Sequence, residues 1–244
     1  MGRGHGLVVL QRFPRWAVVA KPAGLACHRS AMVRDRDTVV RRCRARFGGD
    51  IHLVHRLDRA ASGCLLVAFD GATAAALKEG LVAPEATKLY LAFVRGHFRW
   101  DDPVPVDTAV KGDDDQPRPA SSVVTALGRS HDPRCSLLAV RPRTGRHHQV
   151  RRHVRDLDHP ILGDAVHGDT RANRLWREAH GLPRLGLHCM SLDLATGPDG
   201  PVSVWCPPPA DLVAVWRTLP WWPEAVRRMP RLGGPTLDLR VDEG

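Results

Sequence analysis

The sequence predicts an α+β fold with a mixed, mostly antiparallel central sheet flanked by helices and loops. Short segments with apolar alternation or continuous apolar runs outnumber segments with helical periodicity. These strand-like segments follow one another without regular helices between them, which favours antiparallel pairing over a doubly wound parallel sheet. The chain has 244 residues, 43% of them hydrophobic, which is enough to bury a large core. We expect residues 1–230 to form a single domain and residues 231–244 to form a weakly patterned, disordered tail.

Local patterns predict the elements of the first half. Strands are expected at residues 7–10, 16–20, 51–54, 64–68 and 88–96. A helix is expected over residues 38–47, because Thr38 is a suitable N-cap and Gly48 and Gly49 end the pattern. The Ala-rich residues 71–82 predict a second helix. Residues 101–119 are acidic and Pro-rich, which predicts a surface excursion.

The second half is predicted in the same way. Strands are expected at residues 121–127, 136–140, 187–194 and 202–205. The last two are expected to pair through a turn at residues 197–200. Helices are expected at residues 148–157, opened by Thr144 and Gly145, and at residues 210–219, after three prolines.

Composition indicates which kind of partner the protein binds and where in the cell it is located. The formal charge is +10, and only four of the 36 basic residues are Lys. A polyanion is the expected partner of such a charge, and Arg suits bidentate phosphate contacts. Six Cys are scattered without a CxxC pair, which indicates reduced thiols. Without an N-terminal apolar segment or a membrane-length apolar stretch, a cytoplasmic protein with no membrane contact is expected.

The most informative segment contains a single carboxylate, Asp58, between Arg56 and Arg59. It lies between two apolar runs that are expected to be strands, and a strand-to-loop corner is a common position for reactive side chains. Two neighbouring guanidiniums favour the charged form of Asp58. This carboxylate is therefore suited to act as a nucleophile and poorly suited to act as an acid.

A second polar cluster covers residues 141–153, with five Arg and three His. If a helix begins after Thr144 and Gly145, its backbone amides and the arginines form an anion-binding site. A solvated basic helix without chemistry is the alternative. A metal site formed by His147, His148 and His153 is disfavoured, because HExxH spacing is absent and the neighbouring arginines repel a cation.

Tyr90 is the only Tyr of the chain. It lies in an expected strand, where packing in the core is the common fate of an aromatic side chain. The functional alternative is a ring that stacks on a nucleobase. The sequence pattern around Tyr90 leaves both alternatives open.

These segments together resemble the pseudouridine synthases of the RluA family. The match rests on six elements in order, each of which carries Arg, Lys or His. They are Lys21-Pro22-Ala23-Gly24-Leu25, His55-Arg56-Leu57-Asp58 with Ser62-Gly63, Lys88-Leu89-Tyr90, Thr144-Gly145-Arg146-His147-His148-Gln149-Val150-Arg151, residues 159–164, and Leu187-His188. The family commonly has Thr at the positions of Ala61 and His147, and Tyr at that of His167. Because the matched elements begin near residue 18, the resemblance implies the form that lacks the small N-terminal S4-like RNA-binding domain.

The resemblance implies a pseudouridine synthase fold with an RNA-binding cleft and isomerisation of uridine in structured RNA, ribosomal or transfer. Asp58 would attack the nucleotide or accept a proton from the ribose. Tyr90 would stack on the uracil and assist removal of the proton from carbon 5. Arg151, or alternatively Arg146, would keep Asp58 charged and in place. The resemblance also implies residues that bind the RNA or the uridine. These are Lys21, Arg56, Arg59, Lys88, Arg146, His148, Gln149, Val150 and Leu187. No metal or cofactor is implied, and a monomer is expected.

Two other functions are weighed against this one. A catalytically inactive RNA-binding or ribosome-assembly protein could use the same scaffold, although Asp58, Tyr90 and Arg151 are all present. A metal-dependent nuclease would need carboxylate or His ligands near Asp58. That segment offers mostly Arg.

Overall fold

A computed structural model describes residues 7–29, 36–112 and 115–239. The described chain forms two compact units. The first contains the described residues up to Ala86 together with Ser191–Cys206 and Leu239. The second contains Thr87–Met190 and Pro207–Asp238.

The regular elements are numbered in chain order. The strands are β1 (Val8–Arg12), β2 (Trp16–Lys21), β3 (His52–Leu53), β4 (Ser62–Ala68), β5 (Thr87–Arg95), β6 (Val104–Val106), β7 (Val110–Lys111), β8 (Pro117–Arg118), β9 (Ser122–His131), β10 (Arg134–Pro142), β11 (Leu187–Leu194) and β12 (Val202–Trp205). The helices are α1 (Val39–Phe47), α2 (Gly71–Val82), α3 (Gln149–Asp156), α4 (Thr170–His180), α5 (Ala210–Trp216) and α6 (Trp222–Arg228), followed by a 3₁₀ turn at Pro230–Gly233.

The first unit is built on β2 and β4, whose residues are all buried. They pair antiparallel from Trp16 opposite Ala68 to Lys21 opposite Gly63. Strand β1 extends this sheet on β2, β3 pairs with β4, and the second half of β11 pairs with β12. The continuous apolar runs explain this position, since a strand buried on both faces needs no polar alternation. The pairing brings the end of β2 and the start of β4 together.

The second unit contains the antiparallel strand order β5-β10-β9-β6. Its core is centred on Phe93 of β5, which is fully buried. The Phe93 ring lies 5.0 Å from that of Trp176 in an edge-on arrangement, and 6.4 and 6.0 Å from those of Trp216 and Trp221. Aromatic groups of this size dominate the burial of apolar area in a core. They attach α4, α5 and α6 to the strand that carries Tyr90.

The predicted α+β class and its antiparallel pairings are confirmed. Helices α1 and α2 agree with prediction, with Thr38 and Asp70 accepting the capping hydrogen bonds. Helix α3 begins at Gln149, one residue later than predicted, because His148 has a left-handed backbone with φ of 54°. The predicted excursion at residues 101–119 contains the short strands β6 to β8.

Sequence reasoning missed α4 because Trp176 is its one buried residue, which leaves almost no apolar periodicity. In the predicted tail, the Leu237 carbonyl accepts a hydrogen bond from the Ala210 N–H at 2.9 Å. Residues 240–244 of that tail lie outside the described residues. Within the described ranges, every helix is too short or too polar to cross a membrane.

Candidate active site

Asp58 lies in the connection between β3 and β4, at the predicted strand-to-loop corner. Its side chain is half-buried, whereas the flanking Arg56 and Arg59 are exposed. The Ala61 N–H donates to the Asp58 carbonyl at 3.1 Å, which closes a turn around the carboxylate. Because β3 and β4 pair directly, this loop is anchored at both ends.

A second loop, residues 21–25, is hydrogen-bonded to the Asp58 loop. The Arg59 carbonyl accepts from Lys21 Nζ at 3.0 Å and from the Gly24 N–H at 2.8 Å. Arg59 Nε in turn donates to the Gly24 carbonyl at 2.9 Å. Gly24 has φ of 85°, in the left-handed region that glycine adopts without strain. The structure therefore brings Lys21 and Arg59 together next to Asp58.

Lys21 is fully buried. Besides the Arg59 carbonyl, its Nζ donates to the carbonyls of Pro22 at 2.8 Å and Leu25 at 2.7 Å. These bonds give Lys21 a role in shaping the loop, because a buried ammonium must satisfy its donors within the protein. Direct contact of Lys21 with RNA stays a prediction.

In the second unit, Lys88 and Tyr90 lie on β5, and Tyr90 pairs with Val140 of β10. Tyr90 is half-buried, while Lys88 is buried. Burial lowers the pKa of Lys88, because it disfavours the charged ammonium. Strand β10 then leads into the basic segment, so the strand pairing connects Tyr90 with the residues that follow Pro142.

Gln149 organises the loop before α3. Its Oε1 accepts from Thr144 Oγ1 at 2.7 Å and from the Arg146 N–H at 3.0 Å. Its Nε2 donates to the Ser121 carbonyl at 2.8 Å and to Ser122 Oγ at 3.0 Å. Gln149 is buried and its amide has protein partners at both ends, which is a structural role. Its predicted contact with RNA stays a prediction.

Arg151 forms a bidentate ion pair with Asp164. Its Nε donates to Oδ2 and its Nη2 to Oδ1, each at 2.7 Å. Both side chains are buried, Arg151 at 6% and Asp164 at 1% exposure. The N–H groups of Val166 and His167 also donate to Asp164, both at 2.9 Å. Asp164 therefore fixes the guanidinium of Arg151 and the turn that leads to α4.

The pKa of Asp164 reflects these contacts. Burial raises it, but the hydrogen bonds from Arg151 and from the His167 and Val166 N–H groups outweigh burial, so the net shift is downward. Sequence reasoning did not assign a role to Asp164. Its position within the matched segment of residues 159–164 was the available signal.

His148 is tied to the same turn. Its Nδ1 lies 2.8 Å from His167 Nε2, and its ring lies 3.7 Å from that of His147. One ring must donate and the other accept, so the bond requires at least one neutral imidazole. Burial and the nearby charge of Arg151 lower the pKa of His167, which favours its neutral form.

The remaining predicted residues differ in exposure. Arg146 is exposed and its Nε donates to the Pro119 carbonyl at 3.1 Å. Val150 and Leu187 are buried at 7% and 3% exposure. Lys21, Arg56, Asp58 and Arg59 belong to the first unit, and the other predicted site residues belong to the second. No group of three His, Cys, Asp or Glu side chains placed to hold a metal ion is present in the described ranges.

Comparison with known proteins identifies the family. The chain matches the family model described as RNA pseudouridylate synthase over residues 15–156. It is 37% identical over 195 residues to the tRNA pseudouridine synthase C of Yersinia pestis, covering 72% of this chain and 76% of that protein. The corresponding protein of Pectobacterium carotovorum is 35% identical over 209 residues, but the match spans 77% of this chain and only 55% of that protein.

A solved structure gives the same result. Human RNA Pseudouridylate Synthase Domain Containing 1 is 27% identical, with a TM-score of 0.67 and coverage of 85% of each chain. The protein is therefore an RNA-modifying isomerase. Within that class, it belongs to the RNA pseudouridylate synthase family.

Proposed function

We propose that this enzyme converts one or more specific uridines of transfer RNA to pseudouridine, with Asp58 as the catalytic carboxylate. Relatives named tRNA pseudouridine synthase C support transfer RNA as the substrate. The observation that carries the role of Asp58 is its half-buried position in a loop anchored by β3, β4 and the residue 21–25 loop. A carboxylate held in this way is preorganised for attack or proton transfer.

The proposed reaction is an isomerisation. The target uridine is flipped out of its stack, because its glycosidic carbon cannot be reached within a helix. Asp58 attacks the nucleotide or accepts a proton from the ribose, and the glycosidic bond breaks. The uracil rotates and rejoins through carbon 5. In the first case the bond to Asp58 then breaks, and in the second Asp58 returns the proton to the ribose. The proton on carbon 5 leaves for a base, for which Tyr90 is the candidate. The exposed Arg56 and Arg146 are proposed to contact the RNA backbone, which is negatively charged throughout.

Pseudouridine mapping tests this proposal. Total RNA from cells with and without the gene is labelled with carbodiimide and read by primer extension. We expect the deletion to remove a signal from a transfer RNA, and the wild-type gene to restore it. Asp58→Asn should fail to restore the signal, whereas the matched control Asp50→Asn, a change at an exposed carboxylate, should succeed.

The outcomes separate the alternatives. Restoration by Asp58→Asn would refute the catalytic assignment. A lost signal in ribosomal RNA alone would refute the transfer RNA target and keep the reaction. An unchanged map, together with retained RNA binding by the purified protein, would favour the inactive RNA-binding alternative.

Arg151 is proposed as the cationic residue of the site. Arg151→Lys keeps the charge opposite buried Asp164 but loses the two-pronged geometry. We expect this variant to lose at least ten times more activity than Arg152→Lys, because the Arg152 guanidinium bonds the Lys111 carbonyl outside that pair. Equal losses in purified enzyme assays would contradict the assignment.

A further inference from the structure

Helix α4 presents an unusual basic face. Arg171, Arg174 and Arg177 are all exposed. With 3.6 residues per turn, they span about 120° of the helix circumference and about 9 Å of its length. Trp176, the one buried residue of the helix, lies roughly on the opposite side. We call this set the α4 arginine face.

The three guanidiniums have no ion-pair or hydrogen-bond partner within the part of the chain that the structure describes. Like charges three or four residues apart on a helix repel each other and destabilise it. Arg171 also lies in the first turn, where the helix dipole disfavours a positive charge. Arg177 lies in the last turn, where the dipole favours a positive charge, and the exposed Glu178 lies on the same side of the helix. Helix stability therefore does not account for Arg171 and Arg174, and an anionic partner would.

The helix that carries the face is held rigidly. Asp169 caps it by accepting from the Ala172 N–H at 2.8 Å, and Gly181 ends it with φ of 66°. The Trp176 ring packs edge-on against that of Phe93 at 5.0 Å. A rigid element presents charged side chains without the entropic cost of ordering a loop.

Asn173 connects the face to the Arg151 site. Its Oδ1 accepts from the Gly163 N–H and its Nδ2 donates to the Asp164 carbonyl, each at 2.8 Å. Asp164 is the residue whose carboxylate binds Arg151. The second turn of α4 is therefore attached directly to the partner of a proposed active-site residue.

We propose that the α4 arginine face binds the phosphate backbone of the RNA substrate. The charge of one strand recurs about every 3.4 Å along a duplex, so the face matches about three phosphates. This inference rests on the proposed function, since it takes the substrate to be RNA. It adds an RNA-binding surface outside the residues that sequence reasoning assigned.

The test is the salt dependence of RNA binding by the intact protein. Affinity for a transfer RNA transcript is measured by filter binding between 50 and 250 mM KCl, with Arg171, Arg174 and Arg177 all changed to Gln. Each lost phosphate contact makes the slope of log K against log salt less negative by about 0.7–0.9. We expect a total change of about 2 in that slope, together with a higher KM in isomerisation assays.

Two control variants make the result specific. Changing the same three arginines to Lys keeps the charge, so the slope should remain that of the wild type. Changing Arg217, Arg227 and Arg228 to Gln removes three exposed arginines outside α4. That second triple change should leave the slope at the wild-type value and the KM within twofold of it.

The outcomes distinguish this inference from the proposed function. A wild-type slope in the α4 Gln variant would refute RNA binding by the α4 arginine face. An equal change of slope in the control triple variant would refute it as well. A wild-type protein that binds RNA with the expected slopes but forms no pseudouridine would refute the proposed function and leave the surface assignment standing.

Discussion

Replacing Asp164 by Asn is expected to destabilise the protein by about 3 kcal/mol. Asn preserves the side-chain volume and one acceptor for the Val166 and His167 N–H groups. It removes the charge opposite Arg151, whose side chain is only 6% exposed. Breaking a buried ion pair on one side costs about 3–5 kcal/mol, because the remaining charge stays buried without compensation. Because Asn retains this acceptor, we expect a loss of stability at the lower end of that range of about 3–5 kcal/mol.

Urea unfolding and amide hydrogen exchange measure this effect. A loss of 3 kcal/mol lowers the urea midpoint by about 1 M or more, since m-values are about 1–3 kcal/mol per molar. Exchange should accelerate at the Val166 and His167 amides, which donate to Asp164. Asp169→Asn is the matched control. Asn caps a helix as well as Asp does, and the pair of Asp169 with Arg95 is half-exposed, so its loss is expected to stay below about 1 kcal/mol.

The same substitution predicts a pH dependence. The pKa of Asp164 in the folded state is lowered, so the unfolded state binds its proton first as pH falls. The stabilisation by Asp164 is therefore complete above the unfolded pKa of about 3.9 and is lost as pH falls through the folded pKa. The difference between wild type and Asp164→Asn should shrink over that range.

A double variant measures the interaction energy between Asp164 and Arg151. Asp164→Asn combined with Arg151→Met should be less destabilising than the sum of the single changes, with a coupling energy above about 2 kcal/mol. A loss below 0.5 kcal/mol for Asp164→Asn would refute the reasoning, because the buried Arg151 guanidinium loses its bidentate carboxylate partner. Strictly additive single changes would refute it as well.

Three further predictions follow from buried polar groups. Lys21→Met should lower the free energy of unfolding by about 2–3 kcal/mol, because three carbonyls lose a shared donor; a loss under 0.5 kcal/mol in urea titrations would contradict this role. Gln149→Ala should lower the free energy of unfolding by about 2–4 kcal/mol and weaken RNA binding, because the loop that carries Arg146 loses its hydrogen bonds to the Gln149 amide. Unchanged stability and affinity would contradict this role of Gln149. Burial lowers the pKa of His153 and His159, so the unfolded state takes up protons first and stability should fall from pH 7.5 to 5.5. A flat stability profile for the wild type, or the same decline in a variant with both His changed to Gln, would contradict that assignment.

Residue type and spacing were sufficient to predict many of the strands and helices and the family of this protein. The continuous apolar runs at residues 16–20 and 64–68 specify buried strands, which the structure has at β2 and β4. Thr38 was predicted as the cap of α1 and accepts the capping hydrogen bond there, since capping depends on neighbouring residues alone. The ordered motifs around Asp58, Tyr90 and Arg151 were sufficient to indicate the family that comparison then established.

Tertiary structure decided what each polar side chain does. The family resemblance implies that Lys21 and Gln149 bind RNA, which stays a prediction, and the structure shows that their polar atoms bond backbone and side-chain groups within the protein. Arg151 pairs with Asp164, thirteen residues away, and α4 is held by Trp176 against Phe93. Hydrogen-bond partners and burial depend on which distant segments pack together. Local sequence patterns report periodicity and caps, but they carry no information about those contacts.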